Sequence, residues 1–246
     1  MRHKKEDRMN FTMTQLRTLA VCGMVLFAGE DAAGDIAPPP YPAPQPPGTT
    51  AQKSDSLAAM WQAYYGSVSF MDEQLGRVLH ELDRLGMRDS TAIVFTTEHG
   101  YHLGEHGFWQ KANLHEEVAR VPLIVSASGI KPGRTSSLVE LVDLYPSWTD
   151  LLGLPLPKSL HGKSLSPILR NPDAKARETA LSIHNRAGGG LRSAQWHYMN
   201  YAGKGEELYD MVKDPDQYTN VVSDSKYAAI LKKARVPFKA RMAGAR

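Results

Sequence analysis

The run Thr91-Ala92-Ile93-Val94-Phe95-Thr96-Thr97 constrains the fold more than any other stretch. It is β-branched and aromatic with no polar alternation, the pattern of a strand covered on both faces in a parallel sheet. A second run follows at Val121-Pro122-Leu123-Ile124-Val125. Ahead of both, apolar residues recur at Leu57, Trp61, Tyr64, Val68, Met71, Leu75, Val78, Leu82 and Leu85, spaced alternately four and three. That spacing predicts an amphipathic helix of about thirty residues, opened near Ser54-Asp55-Ser56 and stopped by Gly86. Such a seam also suits a coiled coil, but the strand that follows favours a long helix laid on a sheet. Another helix is predicted over 137–152. Helix, buried strand, loop, buried strand and helix in succession mark an α/β domain.

Three regions follow. Residues 1–55 read as an irregular extension, because the prolines between Ala37 and Pro47 impose extended backbone. Residues 56–157 hold the α/β part. From 158 to 246 the segments Thr179–Asn185, Leu191–Tyr201 and Glu207–Asp210 are short and turn-bounded, predicting a small α+β subdomain with an antiparallel sheet. A terminal helix near 224–243 closes it, with Pro237 expected to interrupt that helix.

Composition narrows the function classes. Twenty-nine Lys and Arg against 26 Asp and Glu give a net charge of +3, which does not describe a nucleic-acid binder. The basic residues are unevenly placed: residues 225–246 carry seven and no acid. That tail reads as a solvated helix face or as a dock for a polyanion. The single cysteine, Cys22, leaves no internal disulfide to form. No apolar run reaches the ~18–20 residues of a membrane span. Leu19 to Gly29, behind a basic start, has the outline of a secretory signal, against which stand Glu6, Asp7, Glu30 and Asp31.

The chemistry lies directly after the first predicted strand, in Thr97-Glu98-His99-Gly100-Tyr101-His102-Leu103-Gly104-Glu105-His106-Gly107-Phe108-Trp109-Gln110-Lys111. In open α/β sheets ligands bind at the carboxyl edge of strands. Glu98 and His99 offer a carboxylate and an imidazole side by side, the glycines let the loop wind close to a ligand, and Lys111 can return a cation to the same pocket. His99, His102 and His106 match no closed zinc spacing. His102 and His106 read as groups that pack the loop, His115 as structural, and Glu105 as a brace for the turn.

Together these residues resemble a known family. Glu98-His99-Gly100, Leu103-Gly104-Glu105-His106-Gly107, Trp109, Lys111 and Val121-Pro122-Leu123-Ile124 are similar to the second half of a type I sulfatase, nearest the iduronate-2-sulfatase-like branch. Tyr64–Asp72 with Leu75-Gly76-Arg77, Val139–Pro146, His161–Leu165, and Glu207–Asp210 with Asp214-Pro215 extend the resemblance over residues 56–223.

The resemblance implies a partial alkaline-phosphatase-like mixed sheet flanked by helices, and hydrolysis of sulfuric esters of a small molecule or glycan. It implies one Ca2+ held by Glu98 and His99, with Lys111 as the catalytic lysine that contacts the sulfate, and a secreted or periplasmic location. The family normally has Asp where this chain has Glu98, so the extra methylene alters the reach to the metal. The formylglycine motif, Cys or Ser followed by x-Pro-x-Arg, occurs nowhere in the sequence; Cys22 sits in Val21-Cys22-Gly23-Met24. The expectation is therefore a C-terminal half with little or no turnover alone, prone to self-association through an unpaired sheet edge. Two other readings stand beside it: a non-catalytic remnant that binds, and a metal-dependent phospho- or phosphonate-ester hydrolase.

Overall fold

The computed structural model describes residues 54–111, 113–184 and 188–245. The proline-rich stretch and the signal-like start lie outside the described residues. Along the chain the elements are α1 (Ser54–Arg84), β1 (Ile93–Thr96), β2 (His102–Leu103), β3 (Trp109–Gln110), α2 (Glu116–Ala119), β4 (Leu123–Ser126), α3 (Leu144–Leu151), α4 (Ser166–Arg170), β5 (Thr179–Ile183), β6 (Gly188–Ser193), β7 (Trp196–Tyr201), β8 (Glu206–Asp210) and α5 (Ala228–Gly244). They make a mixed α/β architecture with a small C-terminal α+β subdomain. Two units are distinguishable: Ser54–Thr96 with Pro122–Ile130, and Thr97–Val121 with Lys131 onward.

In the first unit α1 runs 31 residues, as its four-three spacing requires. Gly86 ends it at φ +66°, where the Gly86 N–H reaches Asp83 O and the Met87 N–H reaches Leu82 O. This is the left-handed stop that glycine adopts without a Cβ penalty. Of the apolar stripe, Tyr64, Met71, Leu75 and Leu82 are half-buried, whereas Trp61, Val68 and Val78 are exposed.

The parallel arrangement expected for the two strand runs is not what forms. β1 pairs antiparallel with β4, Ile93 opposite Ser126 and Thr96 opposite Leu123. The reason lies in the connection: a parallel pair needs a crossover, and residues 97–121 supply only a glycine-rich loop, two-residue strands and the single turn of α2. β1 is half-buried along its whole length, and β4 alternates, leaving Ile124 60% exposed.

The second unit is built on an antiparallel meander in the order β5-β6-β7-β8. The predicted segment Leu191–Tyr201 is two strands, with a turn at Ala194-Gln195 between them. β7 is buried on both faces, following the two-residue period of a strand. Trp196 and Tyr198 join Leu191 and Leu208 under Leu231, Ala234, Phe238 and Met242 of α5. On the other side Met199 and Tyr201 pack with Leu114, Tyr209 and Met211, which seats the loop carrying Leu114 on the sheet.

Two further expectations are corrected. α5 continues through Pro237; its buried stripe keeps helical spacing across the proline, and packing against the sheet outweighs the one missing N–H. The helix expected from 137 begins later. Residues 137–140 have no regular secondary structure, Leu141–Asp143 form a 3-10 turn, and α3 follows. Glu140 and Asp143 close a capping box at that start.

Candidate functional site

The loop after β1 is fixed by its own backbone. The hydroxyl of Thr97 donates to His99 O at 3.0 Å, and the Gly100 N–H donates to Val118 O of α2 at 2.8 Å. A Cβ on Gly100 would lie 1.9 Å from Glu117 O and 2.9 Å from its carbon, so only glycine permits this approach. Gly100→Ala is expected to cost about 1–3 kcal/mol in urea unfolding, because main chain cannot yield as a side chain can. Stability equal to the parent's would show that the loop is not clamped to α2.

That clamp sets the His99 ring. Its Nδ1 lies 2.8 Å from Gly100 O, and a carbonyl only accepts, so Nδ1 carries the proton. In the neutral ring Nε2 then holds the lone pair. It is buried without a hydrogen-bond partner among the described residues and lies 3.2 Å from Glu98 Oε1. Two electron-pair donors face each other across a gap that a shared cation would fill. The Glu98 side chain is 61% exposed, so this pair opens to solvent.

Lys111 lies just past β3 and is exposed. Its ammonium makes no hydrogen bond or ion pair among the described residues, so Glu98 and His99 are brought together without it. The β2–β3 hairpin between them pairs His102 with Gln110 and Leu103 with Trp109. Glu105 braces its turn by accepting the Leu103 N–H at 2.6 Å.

Beneath the loop His102, His106 and His115 form one buried cluster, as the packing role read for His102 and His106 and the structural role read for His115 require, with partners that the sequence did not reveal. His106 is stacked on His115 at 4.6 Å and tilted against Tyr218 at 4.7 Å. His106 holds φ +57°, a conformation costly for a residue with a Cβ, and its Nε2 meets Glu117 Oε1 at 3.3 Å. His102 Nε2 pairs with the Asn113 amide. His115 Nε2 lies 3.4 Å from the Tyr209 hydroxyl and 3.5 Å from Glu207 Oε2.

Burial pushes His102 below the ordinary imidazole range and takes His115 down to about 3, helped by the neighbouring rings. The same burial raises the Glu207 carboxyl. For Glu117 burial acts upward, but hydrogen bonds from His106 and its own backbone outweigh it and leave the carboxyl lowered. The imidazoles meet by faces and edges, and no group of three or more His, Cys, Asp or Glu among the described residues could hold a metal ion. The cluster is a buried prop for the loop. Its sequence signal was weak, since Tyr209 and Glu207 lie more than ninety residues from His115.

Comparison with known proteins bears on this arrangement. The family model described as Sulfatase matches residues 34–154, and that of N-sulphoglucosamine sulphohydrolase, C-terminal, matches residues 104–242. The chain is 33% identical over 180 residues to the N-acetylglucosamine-6-O-sulfatase of Bacteroides thetaiotaomicron, covering 67% of this chain and 32% of that protein. It thus spans about a third of the length of the curated relatives it matches.

Among solved structures, the phosphonate monoester hydrolase of Agrobacterium radiobacter superposes with a TM-score of 0.70 at 28% identity. That match covers 78% of this chain and 43% of the other. A protein in complex with its substrate D-glucosamine-2-N,6-O-disulfate gives 0.66 at 29% identity, covering 72% and 40%.

Proposed function

The chain belongs to the sulfatase family, and from that premise we propose that it supplies the metal-binding edge of a sulfuric-ester hydrolase acting on a sulfated sugar. The carrying observation is His99 Nε2, buried without a hydrogen-bond partner among the described residues while Nδ1 is held by Gly100 O, and lying 3.2 Å from Glu98 Oε1. Calcium bonds its oxygen ligands at about 2.3–2.6 Å and takes six to eight. A donor pair at this separation fits adjacent corners of such a shell and fills only part of it. When bound, the cation polarises a sulfate oxygen.

In this reading Glu98 and His99 hold the ion and Lys111 neutralises a sulfate oxygen. The exposed position of Lys111 suits contact with an incoming substrate. Gly100 and α2 keep His99 in the tautomer that leaves Nε2 free to bind. The finer assignment, iduronate-2-sulfatase-like, rests on the motifs of the 98–124 segment. A glucosamine disulfate substrate in one structural neighbour supports a sulfated glycan as the ligand class.

No Cys or Ser in the x-Pro-x-Arg context exists in the sequence, so the nucleophile is assigned to polypeptide outside it, and this chain alone is expected to turn over little or no aryl sulfate. Among the described residues β1 and β4 each have one strand partner, which supports association through a free edge. No helix among the described residues is long and apolar enough to cross a membrane. A secreted or periplasmic setting accords with sulfated glycans as ligands.

Calcium titration by calorimetry tests the reading. His99→Ala and Glu98→Gln should each weaken binding at least about tenfold; unchanged titrations would reduce the pair to loop packing. The superposition on a phosphonate monoester hydrolase favours a second reading, in which the same edge serves a phosphonate ester. Calcium-dependent binding of a phenylphosphonate ester with none of an aryl sulfate would select it.

A further inference from the structure

We propose that the solvent face of α5 is a docking site for a sulfated polysaccharide, separate from the Glu98–His99 edge. The argument begins with charge. Residues 225–246 hold seven Lys and Arg and no acid, leaving 22 basic against 26 acidic residues over the rest of the chain. This segment is therefore the cationic part of an otherwise slightly acidic protein, and α5 carries five of its seven cations.

The structure sorts those cations. Leu231, Ala234, Phe238 and Met242 define the buried face. Arg235 and Arg241 flank it and are taken up by carboxylates: Arg235 by Glu206, and Arg241 by Glu140 at 2.6 Å. Lys226 lies in the turn before the helix, outside this face, where its backbone N–H donates to the Asp224 carboxylate. Lys232, Lys233 and Lys239 are different. All three are exposed, and none forms an ion pair among the described residues.

Their placement is local. At 3.6 residues per turn, positions three and four apart are surface neighbours. Val236, which is 67% exposed, has Lys233 and Lys232 three and four residues before it and Lys239 three residues after it. An apolar contact point is thus ringed by three ammonium groups, with small Ala229, Ala240 and Ala243 completing the face. Nothing bulky keeps a chain from lying flat on it.

A polyanion is the ligand that such a face fits, through counterion release and a salt-dependent affinity. The face has no aromatic ring on which a base would stack, as single-stranded nucleic acid requires. That favours a saccharide polyanion, and the choice of a sulfated one rests on the proposed substrate class. A cationic tether would hold a polymeric substrate near the protein without touching the reacting group.

The test uses the full chain and fluorescein-labelled heparin oligosaccharide, with anisotropy read across a salt series. Lys232→Gln, Lys233→Gln and Lys239→Gln combined should weaken binding at least tenfold at low salt. The slope of log affinity against log salt should fall by about two to three. A control triple with the same charge change, Lys131→Gln, Lys158→Gln and Lys204→Gln, should leave both nearly unchanged. Equal loss from the two triples, or no loss from the α5 triple, would overturn the proposal. Single-stranded DNA of equal charge bound as tightly as heparin would overturn it too, making the face a general anion patch. Because calcium titration at Glu98 and His99 is read separately, failure here leaves the sulfatase reading standing, and the reverse.

Discussion

Asp143→Ala is expected to remove about 3–5 kcal/mol from the unfolding free energy, measured by urea denaturation. The Asp143 side chain is fully buried, and its partner Arg177 is only 5% exposed. One carboxylate oxygen accepts the Lys163 N–H at 2.7 Å and an Arg177 Nη2 bond; the other accepts the Glu140 N–H and Arg177 Nε, each at 2.9 Å. Burial alone pushes this carboxyl up, but the hydrogen bonds from Arg177, Lys163 and Glu140 outweigh it and hold it below the usual range. Removing the carboxylate leaves a buried guanidinium with only Glu140 Oε2, 3.6 Å away, for company. Two backbone N–H groups are orphaned as well.

The double variant Asp143→Ala with Arg177→Met separates these losses. It should recover the part due to the unpaired charge and keep the part due to the two N–H groups. A loss under about 1 kcal/mol in the single variant would mean that water reaches the site and the pair is not buried in solution. The consequence reaches beyond residue 143. Glu140 also accepts the Leu181 N–H of β5 at 2.8 Å and holds Arg241 of α5, so this network ties the segment before α3 to both the sheet and the terminal helix.

None of that network was legible in the sequence, and the reason is distance along the chain. Features set by neighbours could be read: α1 from its four-three spacing, its end from Gly86, the α+β character of the C-terminal part from short turn-bounded segments. Glu98 and His99 could be paired as a candidate because they are adjacent. Where a feature depends on remote partners, reading failed. The direction of β1 against β4 is decided by what connects them, and the persistence of α5 through Pro237 by a sheet surface waiting for Phe238 and Met242. His115 looked like an ordinary turn residue because Glu207, Tyr209 and the His106 ring that enclose it come from elsewhere. Gly100 is the intermediate case. The glycine signalled close approach, but only the fold reveals that α2 is what it approaches.

Acidification from pH 7 to 5 should strip several kcal/mol from the stability of this protein, and two histidines are the main reason. Burial, then the charges around them, takes both His115 and His197 down to about 3, against about 6.5 in an unfolded chain. Between those values the unfolded state binds more protons than the folded one, so stability is fully present above pH ~6.5 and falls as pH drops toward 3. Each imidazole contributes about 1.4 kcal/mol per pH unit inside that window. The raised Glu207 carboxyl works the other way and offsets part of the loss.

For His197 the bonding makes the sign unavoidable. Gln217 Oε1 accepts the Glu116 N–H at 2.8 Å, which turns the Gln217 amide nitrogen toward His197 Nδ1 at 2.9 Å. Nδ1 must therefore accept, and a proton placed there would set donor against donor in a fully buried site. His115 meets the stacked ring of His106 instead, so its charging adds repulsion to desolvation. Urea midpoints at pH 7, 6 and 5 should fall steadily, and His115→Phe, which keeps the stacking surface, should flatten the slope by about 1.4 kcal/mol per unit. Histidine ring protons followed by NMR give the independent check: the signals of His115 and His197 should stay still from pH 8 until the protein unfolds. Either ring titrating near 6.5 in the folded protein would mean that its buried site is open to water.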